Sequence, residues 1–461
     1  VPTHNSDIKV ASKENSPVPP YTPVPNDTKS EQQTLENCSS DGESFKYEFE
    51  NGHRTGSNWG AFVNIVCVVA GTGVLQLPYA LSESGWLGVI LMFISGIVGV
   101  YSGTILIRCL YYDRTKRLSS YPEVGEAAFG KIGLYVTYFF HYLYILGTVC
   151  IYIILAGENI DGLLVQVDVN LGSKVTQLIV AVVMWLPFVV MKSMREVAIL
   201  ALFGLLATVV VVGVAVVDGF VELAAVHAQN DITYRVLHIT TLPSAIASIS
   251  FAFSGTVVYP HVEASMKRPK DWPKVLTVGM ISITVMYLLT AVCGYAVYGN
   301  TTVSPILSNL PNGVPKTIAL ILISLHVILA APIMLTTFAL EIEKSARVTE
   351  ERLGRVKEFV VRFAFRSIVV AGLYGISIAI PYFSDVLNLV GALSTCMVFF
   401  IFPLVWYVKL FGFRILNWRE RILGVIILIL GVVGLIIGSV QAIQGLVKHI
   451  NEGNTSAPAH H

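Results

Sequence analysis

The sequence predicts an all-helical membrane protein with eleven transmembrane helices. Of its 461 residues, 54% are hydrophobic and 13% are charged, whereas a soluble domain carries roughly 25% charged residues. Eleven apolar stretches reach the ~20 residues that a helix needs to cross the hydrocarbon layer. Lysine and arginine are concentrated on one side of the predicted membrane. A β-barrel would instead show short alternating strands.

The apolar stretches set the order of the elements. Residues 1–57 are rich in proline and polar residues and hold almost no apolar run, so they are predicted to be a disordered cytosolic tail. Residues 58–447 form the predicted transmembrane domain, and 448–461 a non-cytosolic tail. The stretches centre near Ala70, Ile97, Leu146, Val182, Ala207, Ser250, Met286, Leu325, Leu373, Phe400 and Leu430.

The charges predict the orientation. With the N-terminus in the cytosol, 22 lysines and arginines lie in cytosolic loops, and four lie outside, namely Lys174, Arg235, Lys316 and Lys448. This is the bias that membrane proteins show. The sequons at Asn300 and Asn454 fall on the non-cytosolic side, so both are predicted glycosylation sites. Those at Asn26 and Asn37 lie in the cytosolic tail and are expected to stay unmodified.

Two apolar stretches are interrupted at matching places. Residues 59–81 are broken at 71–73, and residues 241–260 at 254–256; each opens a run of five stretches. Paired broken helices indicate the binding site of a secondary transporter. Unwound backbone offers N–H and C=O groups that suit the two charges of a zwitterion, although such glycines also permit close helix packing. The predicted substrate-binding residues are Gly71, Thr72, Gly73, Ser254, Gly255 and Thr256.

Motifs around these breaks resemble a known family. Val63-Asn64 with Gly71-Thr72-Gly73-Val74-Leu75-Gln76-Leu77-Pro78-Tyr79-Ala80 resembles the first helix of the amino acid/auxin permease superfamily. The stretch 259–269 resembles the end of the sixth helix in its vesicular and vacuolar branch. The resemblance implies a leucine-transporter-like pair of inverted five-helix repeats plus one extra helix. It also implies amino acid transport in a vacuolar, lysosomal or vesicular membrane. By analogy with that fold the third helix lines the site, which adds Tyr144 and Tyr152.

Coupling to protons is expected rather than to sodium. Sodium-coupled members of the superfamily have an asparagine where this chain has Cys67, and a hard cation prefers oxygen ligands. Ionisable groups inside a membrane are candidate proton carriers. For Glu263 and Glu158, the alternative to proton coupling is a role as helix caps. For His141, the alternative is a core histidine with its hydrogen bonds satisfied. The predicted coupling residues are Glu263, His141, His326 and Asn64.

The predicted function is secondary active transport of amino acids by alternating access around helices 1 and 6. An amino acid-sensing receptor that signals through the N-terminal tail is the alternative. No enzyme motif, metal site or cofactor motif stands out, and a net charge of +1 gives no basis for nucleic-acid binding. The expected partners are an amino acid, protons and membrane lipid. The charged stretch 341–366 is predicted to be a solvated cytosolic helix.

Overall fold

The computed structural model describes residues 56–113, 117–190, 197–229, 232–348 and 350–456. The predicted N-terminal tail therefore lies outside the described residues up to position 55. The described part is almost entirely helical. Just before the first helix, the Gly56 N–H donates to the Ser265 carbonyl at 3.0 Å, and the Lys267 N–H donates to the Gly56 carbonyl at 2.8 Å. This short pairing ties the start of the first helix to the end of the sixth.

The helices follow the predicted order, and two of them are split. A 3-10 turn, Thr72–Gln76, leads into the second half of the first helix. The helices are α1a (Asn58–Val69), α1b (Leu77–Ser84), α2 (Leu87–Leu110), α3 (Tyr121–Val165), α4 (Ser173–Val190), α5 (Val197–Gln229), α6a (Leu242–Phe253), α6b (Tyr259–Ser265), α7 (Trp272–Tyr298), α8 (Val314–Ser345), α9 (Arg355–Ala379), α10 (Phe383–Phe411) and α11 (Trp418–Asn451).

The chain is a multi-pass membrane protein. Within the described residues, nine helices are long and apolar enough to cross a membrane, and the pair α1a and α1b, bent by 41°, makes a tenth span. The α6a helix has 12 residues, fewer than the ~20 that a span requires. The predicted number of eleven is reached only if α6a and α6b together count as one span, so that number stays a prediction.

Local sequence explains where several helices begin and bend. Asn417 and Glu420 form a reciprocal capping box at the start of α11, which satisfies two backbone N–H groups of the first turn. The long α3 contains a kink at Phe129 and Gly130, where Gly130 has a φ of +63°. This left-handed conformation favours glycine. The membrane-spanning part of α3 follows the kink. The last helix continues to Ser456, beyond the predicted boundary at 447.

The packing brings the two breaks together. The α1a helix packs against α6b, whereas α1b packs against α6a, so the first and sixth helices run antiparallel. The α7 helix packs against both halves of the first helix, and α3 packs along α8. Because each break lies between the two halves of its own helix, this antiparallel arrangement places the breaks beside each other in the protein interior.

The charged stretch 341–366 differs from its prediction. Arg366 is fully buried and binds Glu343 at 2.8 Å, while Arg362 lies 3.2 Å from Glu343 and 2.8 Å from Glu358. The prediction of a solvated helix was therefore wrong for these four residues, whereas Lys344, Arg347, Arg355 and Lys357 are exposed. Glu358, Arg362 and Arg366 are spaced four residues apart, which puts them on one face of α9, and the bonds to Glu343 show that this face lies against α8. Composition alone does not reveal that arrangement.

Candidate functional site

The first helix unwinds at Ala70 and Gly71. Ala70 leaves the helical region, with φ −79° and ψ 58°. The N–H groups of Ala70 and Gly71 turn back to the carbonyls of Val66 and Val69, at 2.7 and 2.8 Å. All residues from Val69 to Pro78 are buried. The helix is thus interrupted where the sequence predicted it, away from solvent.

The sixth helix unwinds from Ser254 to Val258. Ser254 is extended, with φ −78° and ψ 127°, and its hydroxyl is buried without a hydrogen-bond partner in the described chain. The Thr256 hydroxyl instead donates to the Val398 carbonyl of α10 at 2.9 Å. Of the two predicted hydroxyls in this break, that of Ser254 lies next to Tyr144 of α3, whereas that of Thr256 fastens the break to α10.

The three predicted glycines have different surroundings. A Cβ on Gly73 would lie 2.5 Å from the Ala252 Cα, and one on Gly255 would lie 2.5 Å from a Val69 methyl. These two glycines let the breaks pack against each other, as the packing alternative proposed. A Cβ on Gly71 would meet nothing nearer than the Tyr152 hydroxyl, at 3.7 Å.

The α3 helix brings the predicted tyrosines to both breaks. Tyr152 faces Gly71, and Tyr144 lies beside Ser254. Both side chains are buried, as is Thr72. The structure thus brings together all the predicted substrate-binding residues. Their shared environment is buried, with backbone and hydroxyl groups as its polar elements.

Sequence reasoning missed Tyr287. Its hydroxyl, on α7, lies 2.6 Å from the Val69 carbonyl and 2.7 Å from the Ala252 carbonyl, so it contacts the last turn of both α1a and α6a. A tyrosine in an uninterrupted apolar stretch gives no signal of such a role. Only the packing of α7 against the breaks brings the hydroxyl there.

A polar network beside α1b was also missed. The Gln76 side-chain amide donates to the Ser384 hydroxyl at 3.0 Å and to the Asn388 side-chain oxygen, Oδ1, at 3.3 Å. Ser248 on α6a donates to the same Asn388 oxygen at 2.5 Å, and Ser304 donates to Gln76. This Gln76 network, which consists of Gln76, Ser248, Ser304, Ser384 and Asn388, joins both broken helices to α10.

A cavity of about 320 Å³ adjoins this network. Tyr79 on α1b and Glu158 on α3 line it, together with Ser304 and Ser384 of the Gln76 network. Asp385, 2.6 Å from His449, also contributes to the wall. The Glu158 carboxyl therefore faces a cavity next to the site, rather than the unwound backbone.

The predicted coupling residues lie in separate places. His141 is buried, neither ring nitrogen has a hydrogen-bond partner among the described residues, and its Nε2 lies 3.9 Å from the Glu341 carboxylate of α8. Its reading as a histidine with satisfied hydrogen bonds does not fit this geometry. His326 packs against Gly204 of α5, beside the Cys67 sulfur. Asn64 is half-buried on α1a.

Glu263 is held in an ion pair at the end of α6b. Its carboxylate accepts from Arg117 at 2.6 Å and from the Tyr111 hydroxyl at 2.6 Å. Arg117 also donates to the Pro260 carbonyl at 2.7 Å. The exposed fractions of the Arg117 and Glu263 side chains are 3% and 0%. This ion pair fastens the α2–α3 connection to α6b.

The two predicted glycosylation sites differ in context. The Asn300 amide donates to the Thr233 hydroxyl at 3.0 Å, and its carbonyl oxygen accepts from Tyr295 at 3.0 Å. Asn454 lies on the helical continuation that ends at Ser456. Modification of either asparagine stays a prediction.

The fold is shared with solved transporters. The structure of MhsT in complex with L-phenylalanine superposes with a TM-score of 0.51, at 13% identity, over 82% of this chain and 98% of that one. A Na⁺-coupled sialic acid symporter gives a TM-score of 0.51, at 15% identity, over 85% of this chain and 90% of that one. The fold is thus leucine-transporter-like, as the sequence predicted.

The family follows from the sequence comparisons. A family model described as transmembrane amino acid transporter protein matches residues 54–444. Amino acid transporter AVT1D of Arabidopsis thaliana is 29% identical over 363 residues, 77% of this chain and 63% of the relative. AVT1C of the same plant is 30% identical over 357 residues, 76% of this chain and 63% of the relative. The chain thus spans under two thirds of these relatives. It belongs to the transmembrane amino acid transporter family.

Proposed function

We propose that the protein carries amino acids across a membrane by alternating access around the breaks in its first and sixth helices. The observation that carries this proposal is the contact between two buried breaks, in which Gly73 packs against Ala252 and Gly255 against Val69. Two relatives of similar sequence are named amino acid transporters. Family membership and fold support the same function.

The chemistry of the breaks suits a zwitterion. The turn at Thr72 and the start of α6b present helix N-termini, which carry partial positive charge and attract a carboxylate. The ends of α1a and α6a present carbonyls, which attract an ammonium group. The buried Ser254 hydroxyl and the Tyr144 and Tyr152 side chains beside the breaks add polar groups. The carboxylate and ammonium groups that the breaks attract are common to all amino acids. The site therefore favours amino acids as a class rather than one member.

We further propose that α6a and α6b form one interrupted span, which brings the number of spans to eleven. Their bounds, Leu242–Phe253 and Tyr259–Ser265, give together the length of an ordinary span. An odd number places the two termini on opposite sides of the membrane, and the loop charges favour the N-terminus in the cytosol. A vacuolar, lysosomal or vesicular membrane is the proposed location.

Proton coupling is proposed to pass through His141 and Glu341. These side chains approach to 3.9 Å between α3 and α8, and neither His141 nitrogen has a hydrogen-bond partner among the described residues. This distance is longer than a hydrogen bond, so a closer approach of α3 and α8 would let the two groups share a proton. Glu263, His326 and Asn64 stay predicted coupling residues, although the Arg117 ion pair makes Glu263 better suited to closing the cytosolic end.

Uptake into proteoliposomes tests the proposal. Purified full-length protein is reconstituted and given a panel of labelled amino acids, with a pH gradient of either direction, in sodium or choline buffer. We expect at least one amino acid to accumulate with the gradient, equally in both buffers. Accumulation that requires sodium would contradict proton coupling. Binding of an amino acid without any flux would contradict transport and favour the receptor alternative.

A further inference from the structure

A single hydroxyl on α7 lies within hydrogen-bond distance of carbonyls from both broken helices. The last carbonyls of a helix have no donor within that helix, and here two such groups belong to buried residues. They are the carbonyl of Val69, which ends α1a, and that of Ala252, in the last turn of α6a. The Tyr287 hydroxyl lies 2.6 and 2.7 Å from them. Two helix ends from opposite halves of the fold thus converge on one oxygen atom.

The electrostatics of this point favour a positive charge. Helix C-terminal ends carry partial negative charge, and two of them meet here. In transporters built from broken helices, unwound carbonyls and half-helix C-terminal ends coordinate the coupling cation. The Tyr287 side chain is fully buried, and its ring is held edge-on by Phe253 at 4.9 Å between centroids. The hydroxyl proton of Tyr287 places a partial positive charge between these two carbonyls.

We infer that the Tyr287 hydroxyl takes the place of a coupling cation between the breaks and makes the substrate site independent of sodium. The inference rests on the proposed transport function and deepens it. A phenol has one proton, so it donates to one carbonyl at a time and holds both ends near one point. Unlike a cation, it is covalently attached, so nothing is carried with the substrate at this position. Tyr287 is a positioning residue for the unwound backbone.

The Tyr287→Phe variant tests this inference, because it removes the hydroxyl and keeps the ring. The Ala252 carbonyl then loses the Tyr287 donor, while the Val69 carbonyl retains the Gly71 N–H; the loss of a donor to a buried carbonyl commonly costs a factor of about ten or more in a dependent equilibrium. We expect wild-type uptake to be equal in choline, sodium and lithium. The variant should lose about tenfold in choline and recover saturably with sodium or lithium, since a small cation can enter the vacated position.

A second measurement needs no transport. In detergent, sodium chloride should raise the thermal unfolding midpoint of Tyr287→Phe relative to choline chloride, and should leave the wild-type midpoint unchanged. The matched control is Tyr295→Phe, on the same helix, whose hydroxyl bonds to Asn300 and to the Arg235 backbone. This control should show no sodium effect in either measurement.

The outcomes separate the two proposals. Normal uptake by Tyr287→Phe in choline would overturn the inference, as would a loss that neither sodium nor lithium changes. Absence of wild-type uptake for every amino acid and gradient would overturn the proposed function instead. In that case the sodium-specific thermal shift of the variant still decides the role of Tyr287: a shift supports it, and no shift overturns it.

Discussion

At the scale of single residues, the breaks combine two kinds of glycine. Gly73 and Gly255 lie where the opposite break comes closest, at contacts that leave no space for a side chain. Gly71 has ordinary van der Waals room and faces the Tyr152 hydroxyl. The first kind holds the breaks together, whereas the second leaves space next to a polar group. Substitutions at the two kinds should therefore fail in different ways.

Gly73→Val and Gly255→Val should abolish uptake while the protein still inserts into the membrane. The added methyl groups overlap the other broken helix, and overpacking of this kind costs about 1–3 kcal/mol. Gly71→Ala should insert and unfold as the wild type does, but with a Michaelis constant raised several-fold, because its methyl group occupies space beside Tyr152. Uptake kinetics and thermal midpoints check all three. Unchanged uptake by Gly73→Val would remove that glycine from the site.

His141→Gln should lose uptake driven by a pH gradient, by about tenfold or more, because an amide does not exchange a proton at neutral pH. Exchange of labelled for unlabelled substrate without a gradient should persist. Glu341→Gln should behave in the same way, since the two groups lie 3.9 Å apart. His227→Gln, at an exposed histidine, is the control. Gradient-driven uptake that survives in both variants would reject this pair as the proton path.

At the scale of elements, α6b is fastened to the rest of the fold by charge. The Arg117–Glu263 ion pair is buried, and Tyr111 completes the carboxylate's hydrogen bonds. A buried ion pair adds little net stability, but removal of one partner is expensive, because the other charge remains without water. The position of α6b therefore depends on the presence of both charged partners.

Glu263→Gln should lower stability by about 3–5 kcal/mol, the usual cost of leaving one buried charge unpaired. Glu263→Met with Arg117→Met should recover most of that loss, because no charge is left buried. Denaturant unfolding in detergent measures both. Accessibility of a cysteine placed at Val262, a buried residue of α6b, should rise in the single variant only. Equal stability of the single variant and the wild type would show that the pair does not hold α6b.

At the scale of the whole molecule, the breaks lie between two polar closures. The Gln76 network joins α1b and α6a to α10 on one side, with the cavity beyond it. The Arg117–Glu263 pair joins α6b to the α2–α3 connection on the other side. Under the proposed alternating access, one closure would open while the other holds. The antiparallel first and sixth helices give each closure a different half of each broken helix.

The proposed orientation predicts the pattern of glycosylation. In a eukaryotic host, Asn454 should carry glycan, and Asn26 and Asn37 should not. Occupancy at Asn300 should be lower than at Asn454, since the Asn300 amide already donates to Thr233. Glycosidase digestion of the wild type and of the Asn454→Gln and Asn300→Gln variants checks this on gels. Glycan on Asn26 or Asn37 would place the N-terminus on the other side.

Much of the architecture could be predicted because a membrane limits what a chain can do. Apolar length predicts spans, and a glycine-rich interruption inside a span predicts unwound backbone, as at 71–73 and 254–256. Resemblance placed Tyr144 and Tyr152 on the helix that lines the site. Side-chain partners could not be predicted in this way, since Tyr287, Gln76 and Glu341 find theirs on helices distant in sequence.

The sequence alone determined the membrane class, the family and the places where two helices break, because each follows from local composition and motif. Only the tertiary structure decided which side chains contact the breaks and which partners their hydroxyls take. It bonded the Thr256 hydroxyl to α10, placed that of Ser254 beside Tyr144 and brought Tyr287 to both carbonyls. The reason is physical: in a dry interior each polar group takes the partner that packing brings within hydrogen-bond distance.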